Sequence, residues 1–355
     1  MNLFEKMIRE LKVSNHPTIM YGSGALSVMV DSYLKQNGII ADGFAVDREY
    51  YREPTHNGKP VYILSDYVAN NPCNIILAFS YLTSEWENKL RSIADSRPDT
   101  KIYLLDFPAY LSLYGDHSQY GSFYKENKPA LDKLRAELCD ESSKTALDDF
   151  IDQKLTGVYR KPFSDKPAFF DGDVLEFSDR EVYVDCGAYN GDTVIGFIEN
   201  LERGGVFFYR KIYAFEADAK NVTAMDKNLE GYDNIRIIAK GVYDHTGVLR
   251  FAAEGGVGSH ISDDGIEIEV TSIDEAVKDE EVTFIKMDIE GSELMALKGA
   301  EKTIRRCRPK LAVCVYHRVE DLITIPQYIK SLNPDYKLYF RRYCPNAFDA
   351  VLYAV

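Results

Sequence analysis

With 355 residues, 45% of them apolar and 28% charged, the chain has room for two domains, and its composition excludes a disordered or fibrous protein. Its 42 basic against 56 acidic side chains leave a net charge of −14, which removes any general attraction to phosphate backbones or anionic lipid and argues against nucleic acid as a partner. Six cysteines, Cys73, Cys139, Cys186, Cys307, Cys314 and Cys344, form no CxxC pair, a pattern of core and surface thiols in a reducing compartment rather than of a zinc ribbon or disulfide framework.

The opening MNLFEKMIRELKV mixes charged and apolar positions at helical spacing, and no uncharged apolar run along the chain approaches the ~18 residues of a membrane span. A cytoplasmic protein without a membrane span is expected. TIMY, Thr18–Tyr21, runs into Gly22-Ser23-Gly24 and then the helical pattern ALSVMVDSYLKQNG: strand, glycine turn, helix. IIADGFAVD reads as a strand ending at Asp47 and NIILAFS from Asn74 as another, followed by a helix over Ser84–Asp95 and a strand KIYLLD from Lys101. This alternation predicts a smaller Rossmann-like α/β domain over residues 1–120. Asp47 stands where the ribose-binding acid of an NAD site would be. After Gly22 and Gly24, however, the third glycine position is Ser27, so the domain reads more readily as a scaffold than as a working nucleotide site.

Residues 121–179 change character. The stretch up to Thr156 is charged and rich in alanine and leucine, which predicts helices, and Arg160–Asp179 carries Pro162, Pro167 and several aromatics, which suits an irregular strap. From residue 180 to 355 the alternation resumes, with strands at EVYVDCG, KIYAFEA, IRIIAKG, FIKMDIE, KLAVCVYH, KLYFRRY and AVLYAV. Seven strands ending in two closely spaced segments imply a mostly parallel sheet whose last strand is antiparallel. Between the third and fourth, GVLRFAA and GIEIEVT read as an inserted β-hairpin around Gly255, Gly256 and Gly258.

The stretch VDCGAYNGDT, Val184–Thr193, ends a strand and opens a helix. Gly187 and Gly191 allow a sharp turn and close approach of the backbone to a ligand, and Asp185, Gly187, Ala188, Gly191 and Asp192 are the candidate cofactor contacts. KIYAFEAD ends in Glu216, where an acid accepts hydrogen bonds from the ribose hydroxyls of an adenosine. A loop that holds a pyrophosphate on backbone N–H groups gains nothing from the neighbouring carboxylates Asp185 and Asp192, whereas a cationic ligand with an amino-acid end does. That favours S-adenosylmethionine over NAD. Asp244, in GVYDHTG, follows the third strand and could border the adenine, although turn chemistry would also explain it.

VDCGAYNGDT, the acid in YAFEAD and, above all, KMDIEGSELMALKGA (Lys286–Ala300) resemble the FkbM family of S-adenosylmethionine-dependent methyltransferases over about Glu181–Val355. The resemblance implies a seven-stranded Rossmann-like methyltransferase domain, with Asp185, Gly187, Gly191 and Glu216 on the cofactor. It further implies methyl transfer to a hydroxyl oxygen on a sugar, glycan or polyketide-type small molecule. Asp288 and Glu290 lie where the fourth strand runs out and His317 ends the fifth; these strands are neighbours in that fold, so the three side chains should converge beside the transferred methyl group. They suit either a general base with an orienting partner or a Mg²⁺-type site that polarises the acceptor. Plain alternatives are a strand-end histidine satisfied by backbone and, for Glu290, a carboxylate at a helix N-terminus. Ser259 and His260 in the hairpin tip are candidates for touching the acceptor. The competing function, an NAD- or nucleotide-sugar-binding protein working through the first domain with the second regulatory, leaves KMDIEGSE unexplained. A homo-oligomer is compatible with either reading.

Overall fold

The computed structural model describes residues 3–79, 84–107, 118–160, 164–251, 266–344 and 350–355. The chain divides into two compact units, one of residues 1–122, 148–163 and 344–348, the other of residues 123–147, 164–343 and 349–355.

In the first unit the helix Leu3–Val13 buries Phe4, Met7, Ile8 and Leu11, the i, i+3, i+4, i+7 stripe of an amphipathic helix. Its sheet contains β1 (Thr18–Tyr21), β2 (Gly43–Val46), β3 (Thr55–His56), β4 (Lys59–Ile63), β5 (Asn74–Leu77) and β6 (Lys101–Tyr103), in the order β3-β4-β2-β1-β5-β6. All pairings are parallel except the short β3–β4 ladder. Every residue of β1, β2 and β5 is buried, as strands covered on both faces must be. Along β1, Met20 joins one apolar cluster and Ile19 and Tyr21 the other, the two-residue period of a strand between two cores. The order in which strands are added to the sheet reverses between β1 and β5.

The main sheet of the second unit comprises β7 (Val182–Cys186), β8 (Lys211–Phe215), β9 (Ile235–Ile238), β13 (Phe284–Met287), β14 (Lys310–Cys314), β15 (Leu338–Arg342) and β16 (Ala350–Ala354). Their order is β15-β16-β14-β13-β7-β8-β9. Only β16 runs against the others, pairing antiparallel with both β14 and β15. This is the seven-stranded, mostly parallel sheet with an antiparallel last strand that the sequence implies. The strap expected from the prolines supplies Phe170 and Phe177, which pack with Tyr183, Phe197 and Phe284. The edge strand β15 is covered: Cys139 N–H donates to the Leu338 carbonyl at 2.9 Å, Phe340 N–H donates to Ser143 Oγ at 2.9 Å, and Arg341 pairs with Asp140 at 2.7 Å. An edge so occupied offers no free ladder to another chain.

A smaller sheet, β10 (Gly241–Val242), β11 (Gly247–Phe251) and β12 (Ile266–Thr271), has the order β10-β12-β11. β11 and β12 pair antiparallel, as the inserted hairpin requires. Its glycine-rich tip, with Ser259 and His260, lies outside the described residues. Among the described residues no helix is long and apolar enough to cross a membrane.

Candidate active site

In the second sheet the order of strands reverses between the parallel neighbours β7 and β13, and in open α/β sheets the crevice at the carboxyl ends of such strands is where ligands bind. Gly187 follows β7 with φ +80°, and a Cβ on it would stand 2.0 Å from the carbonyl oxygen of Asp288. No other residue fits a positive φ and so close a crossing without displacement. The N–H groups of Gly187 and Ala188 both donate to the Phe215 carbonyl, at 3.0 and 2.9 Å, which fastens the turn to the end of β8. Gly191, φ +88°, opens the helix Asp192–Arg203.

Glu216 lies half-buried against this turn. One carboxylate oxygen accepts from Tyr189 N–H at 3.0 Å and the other from Asp218 N–H at 2.8 Å. Asp192 is exposed and accepts from Thr193 N–H at 2.8 Å, a helix-start contact. Asp244 follows β10 and meets His245 Nδ1 at 2.5 Å.

Asp185 is fully buried beneath the turn. One oxygen accepts from the Thr193 hydroxyl at 2.5 Å; the other is 3.0 Å from Nζ of Lys286, which is itself buried. Lys286 also donates to the Gly187 carbonyl at 2.7 Å. Burial works against its charge, but the carboxylates of Asp185 and Asp288 outweigh it and hold the ammonium above its ordinary pKa. Asp185 and Lys286 therefore brace the turn from inside.

On the other side of the crevice, Asp288 follows β13, and Glu290 and Gly291 are both left-handed, with φ +57° and +93°. For glutamate that conformation is strained, and it turns the chain into the helix Glu293–Lys298. His317, three residues past β14, is fully buried. Its Nε2 is 3.5 Å from Asp288 Oδ1 and 3.6 Å from Glu290 Oε2, while Nδ1 is 2.9 Å from Glu293 Oε1. Tyr316 donates its hydroxyl to Asp288 at 3.1 Å. Burial alone would lower the histidine's pKa; the carboxylates, Glu293 foremost, override it and push it up to about 9. Asp321, buried nearby, is pushed up to about 8 by burial and by the charge of Glu293.

The structure thus brings Asp288, Glu290 and His317 together and sets the Gly187–Gly191 turn against Glu216. Sequence reasoning missed Glu293, Lys286, Thr193 and Tyr316. Two of these lie inside KMDIEGSELMALKGA. Glu293 is the first helical residue, where a carboxylate ordinarily only complements the dipole, and Lys286 hides in an apolar strand. In the first unit, Gly22 also turns left-handed, φ +122°. The Asp47 carboxylate is already engaged, by the Tyr21 hydroxyl at 2.7 Å and by Lys89, and Ser27 Oγ donates to the Gly24 carbonyl at 2.6 Å.

Among the described residues, the metal-type donors that come within 4.8 Å of one another are Asp288, Glu293 and His317, with Glu293 in place of the expected Glu290. Mg²⁺ requires an octahedron of oxygen donors and retained waters. An enclosed imidazole nitrogen with two carboxylates does not supply that oxygen set.

Residues 185–338 match the Methyltransferase FkbM domain, so the second unit is similar to FkbM methyltransferases over most of its main sheet. An FkbM methyltransferase from Methylobacillus flagellatus KT shares 24% identity and a TM-score of 0.77, over 98% of this chain and 93% of that one, which establishes a common fold. An rRNA methylase from Streptococcus thermophilus, 18% identical, is covered over 96% of its length by 54% of this chain, with a TM-score of 0.34. Aeropyrum pernix fibrillarin with natively bound S-adenosyl-L-methionine is 14% identical, at 51% and 70% coverage and a TM-score of 0.33. No curated protein matches the chain.

Proposed function

We propose that the second unit is an S-adenosylmethionine-dependent O-methyltransferase whose acceptor is a hydroxyl group on a sugar, glycan or polyketide-type small molecule. The observation that carries the reading is the half-buried Glu216 at the end of β8, its carboxylate held on the backbone of the glycine turn by Tyr189. In that position it can accept from the two hydroxyls of a ribose while the turn's backbone, Gly187 through Gly191, faces the rest of the cofactor. Gly187 lets the loop after β13 cross the turn closely, and the exposed carboxylate of Asp192 suits a ligand with ammonium and sulfonium charges. Ala188 and Asp192 belong to the turn, Asp244 after β10 is assigned to the adenine edge, and Asp185 with Lys286 keeps the turn's shape.

When bound, S-adenosylmethionine supplies a methyl group activated by the positive sulfur. What remains for the protein is to hold the acceptor in line and to take up a proton. The groups available at the acceptor edge are Asp288, 30% exposed, and Glu290, 44% exposed, with Tyr316 orienting Asp288.

Calorimetry tests the cofactor half of this reading. S-adenosylmethionine or its demethylated product should bind at micromolar strength with NAD competing poorly, and Glu216→Ala should cost roughly 1.5–3 kcal/mol, as lost charge-assisted hydrogen bonds do. Tighter binding of NAD to the second unit would overturn it. Mass spectrometry of products from a panel of hydroxyl-bearing acceptors tests the rest: a methyl group on nitrogen or carbon would reject O-methylation.

A further inference from the structure

His317 is enclosed by carboxylates at both ring nitrogens, with further ionisable groups on the neighbouring elements. The loop after β13 brings Asp288 and Glu290 to Nε2, and the following helix brings Glu293 to Nδ1. The helix Asp321–Leu332 contributes Asp321, β13 contributes Lys286 paired with Asp185, the Tyr316 ring lies 4.0 Å away, and Arg318 follows in the chain. Glu293 has no part in the chemistry above, yet it is fully buried; its Oε1 accepts from Ile289 N–H at 2.8 Å and lies 2.9 Å from the imidazole Nδ1. The carboxylate so held faces Nδ1 at ion-pair distance, which favours a proton on that nitrogen.

The consequence falls on the other nitrogen. A neutral ring with its proton on Nδ1 would point the lone pair of Nε2 at two carboxylates, a repulsive arrangement in a buried site. A proton on Nε2 makes both contacts attractive. Because the ring has no exposed surface, it also cannot touch an acceptor, whereas Asp288 can.

We propose that Glu293 is a positioning residue that holds His317 as a doubly protonated imidazolium, so that the acceptor's proton passes to Asp288 and not to the histidine. In that step the acceptor O–H bond breaks and its proton joins a carboxylate oxygen of Asp288. The oxygen's electron pair forms the new O–C bond, and the pair of the broken S–C bond stays on sulfur. The role of Asp288 rests on the methyl-transfer reading; the charge of His317 does not.

The test is ¹⁵N NMR of the imidazole rings in the full chain, which has six histidines, with His317 assigned by its disappearance in His317→Asn. At about pH 7.5, above the ordinary histidine range, both His317 nitrogens should carry protons. A single N–H there overturns the inference while leaving cofactor binding untouched. In Glu293→Gln the titration should move down by about one unit or more, and the alkaline limb of the kcat profile should move with it while the Kd for S-adenosylmethionine stays within about twofold; Glu293→Asp should restore part of both. An unmoved titration and limb would refute the positioning role. If Glu293→Gln does not fold, the wild-type spectrum alone decides. Failure of the wild type to bind S-adenosylmethionine would instead overturn the methyl-transfer reading, and with it the role of Asp288, while leaving the imidazolium standing.

Discussion

Gly187 has no room for a side chain because the loops after β7 and β13 cross there, and the missing Cβ would sit 2.0 Å from a carbonyl oxygen. Gly187→Ala must push the two loops apart in addition to forcing alanine into φ +80°. It should destabilise the protein by about 2 kcal/mol or more and weaken S-adenosylmethionine binding by at least about tenfold, measured by denaturant titration and calorimetry; wild-type values would mean that the crossing is easily relieved. Directly beneath, Lys286 and Asp185 form a buried pair at 3.0 Å. Breaking a buried pair from one side leaves a charge without compensation, which typically costs about 3–5 kcal/mol. Lys286→Met should behave that way, and adding Asp185→Asn to it should recover a substantial part, since the doubly changed site no longer buries an unpaired carboxylate. A double-mutant cycle with no coupling would show that the pair does not brace the turn.

At the scale of elements, the ends of β13 and β14 and the helices that follow them are held together by ionisable groups, so this region should respond to pH. His317 is raised from 6.5 to about 9. Its contribution is fully present below the unfolded value and is lost as pH climbs through the folded one, on the order of 3 kcal/mol in all. Asp321, raised from 3.8 to about 8, acts with the same sign, because the folded state favours its protonated form and ionisation in the buried site is penalised. Denaturation midpoints should therefore fall with rising pH, from about pH 4 to 8 through Asp321 and from about pH 6.5 to 9 through His317, with a shallower fall in Glu293→Gln; a flat profile would contradict the buried cluster. These groups also show where sequence reading reaches its limit. The strands were legible because burial on both faces writes continuous apolar runs such as VYVDC and KLAVC. Asp288 and His317 were legible because the order of strands makes β13 and β14 neighbours. The partnership of Asp185 with Lys286 was not, since it joins residues 101 positions apart through a lysine that reads as one polar interruption of an apolar strand. Glu293 was passed over because a helix-start carboxylate is usually solvated, and only tertiary packing reveals that this one is fully buried.

Taken whole, the molecule contains two α/β units in which a glycine turn follows the first strand and an acid ends the second, so pattern alone would give each a nucleotide. The partners of the two acids separate them. Glu216 receives backbone N–H groups from the turn and from its own loop and lies half-buried, with lone pairs left for a ribose. Asp47 is only 8% exposed and is taken up by the Tyr21 hydroxyl and the Lys89 ammonium. Burial, together with the Asp47 charge, raises the pKa of that hydroxyl, so the tyrosine remains a donor across the working pH range. A ribose arriving at Asp47 would have to displace an ion pair and a buried hydrogen bond for equivalent bonds of its own, with no net gain. Asp47→Ala should therefore leave S-adenosylmethionine affinity within about twofold of wild type and lower stability by roughly 1–3 kcal/mol, the cost of leaving Tyr21 and Lys89 without their acceptor. NAD should show no saturable binding to either protein. A tenfold loss of S-adenosylmethionine affinity with the fold intact, or NAD binding that Asp47→Ala abolishes, would return the first unit to the list of nucleotide sites, because only an aspartate released from Tyr21 and Lys89 could produce either result.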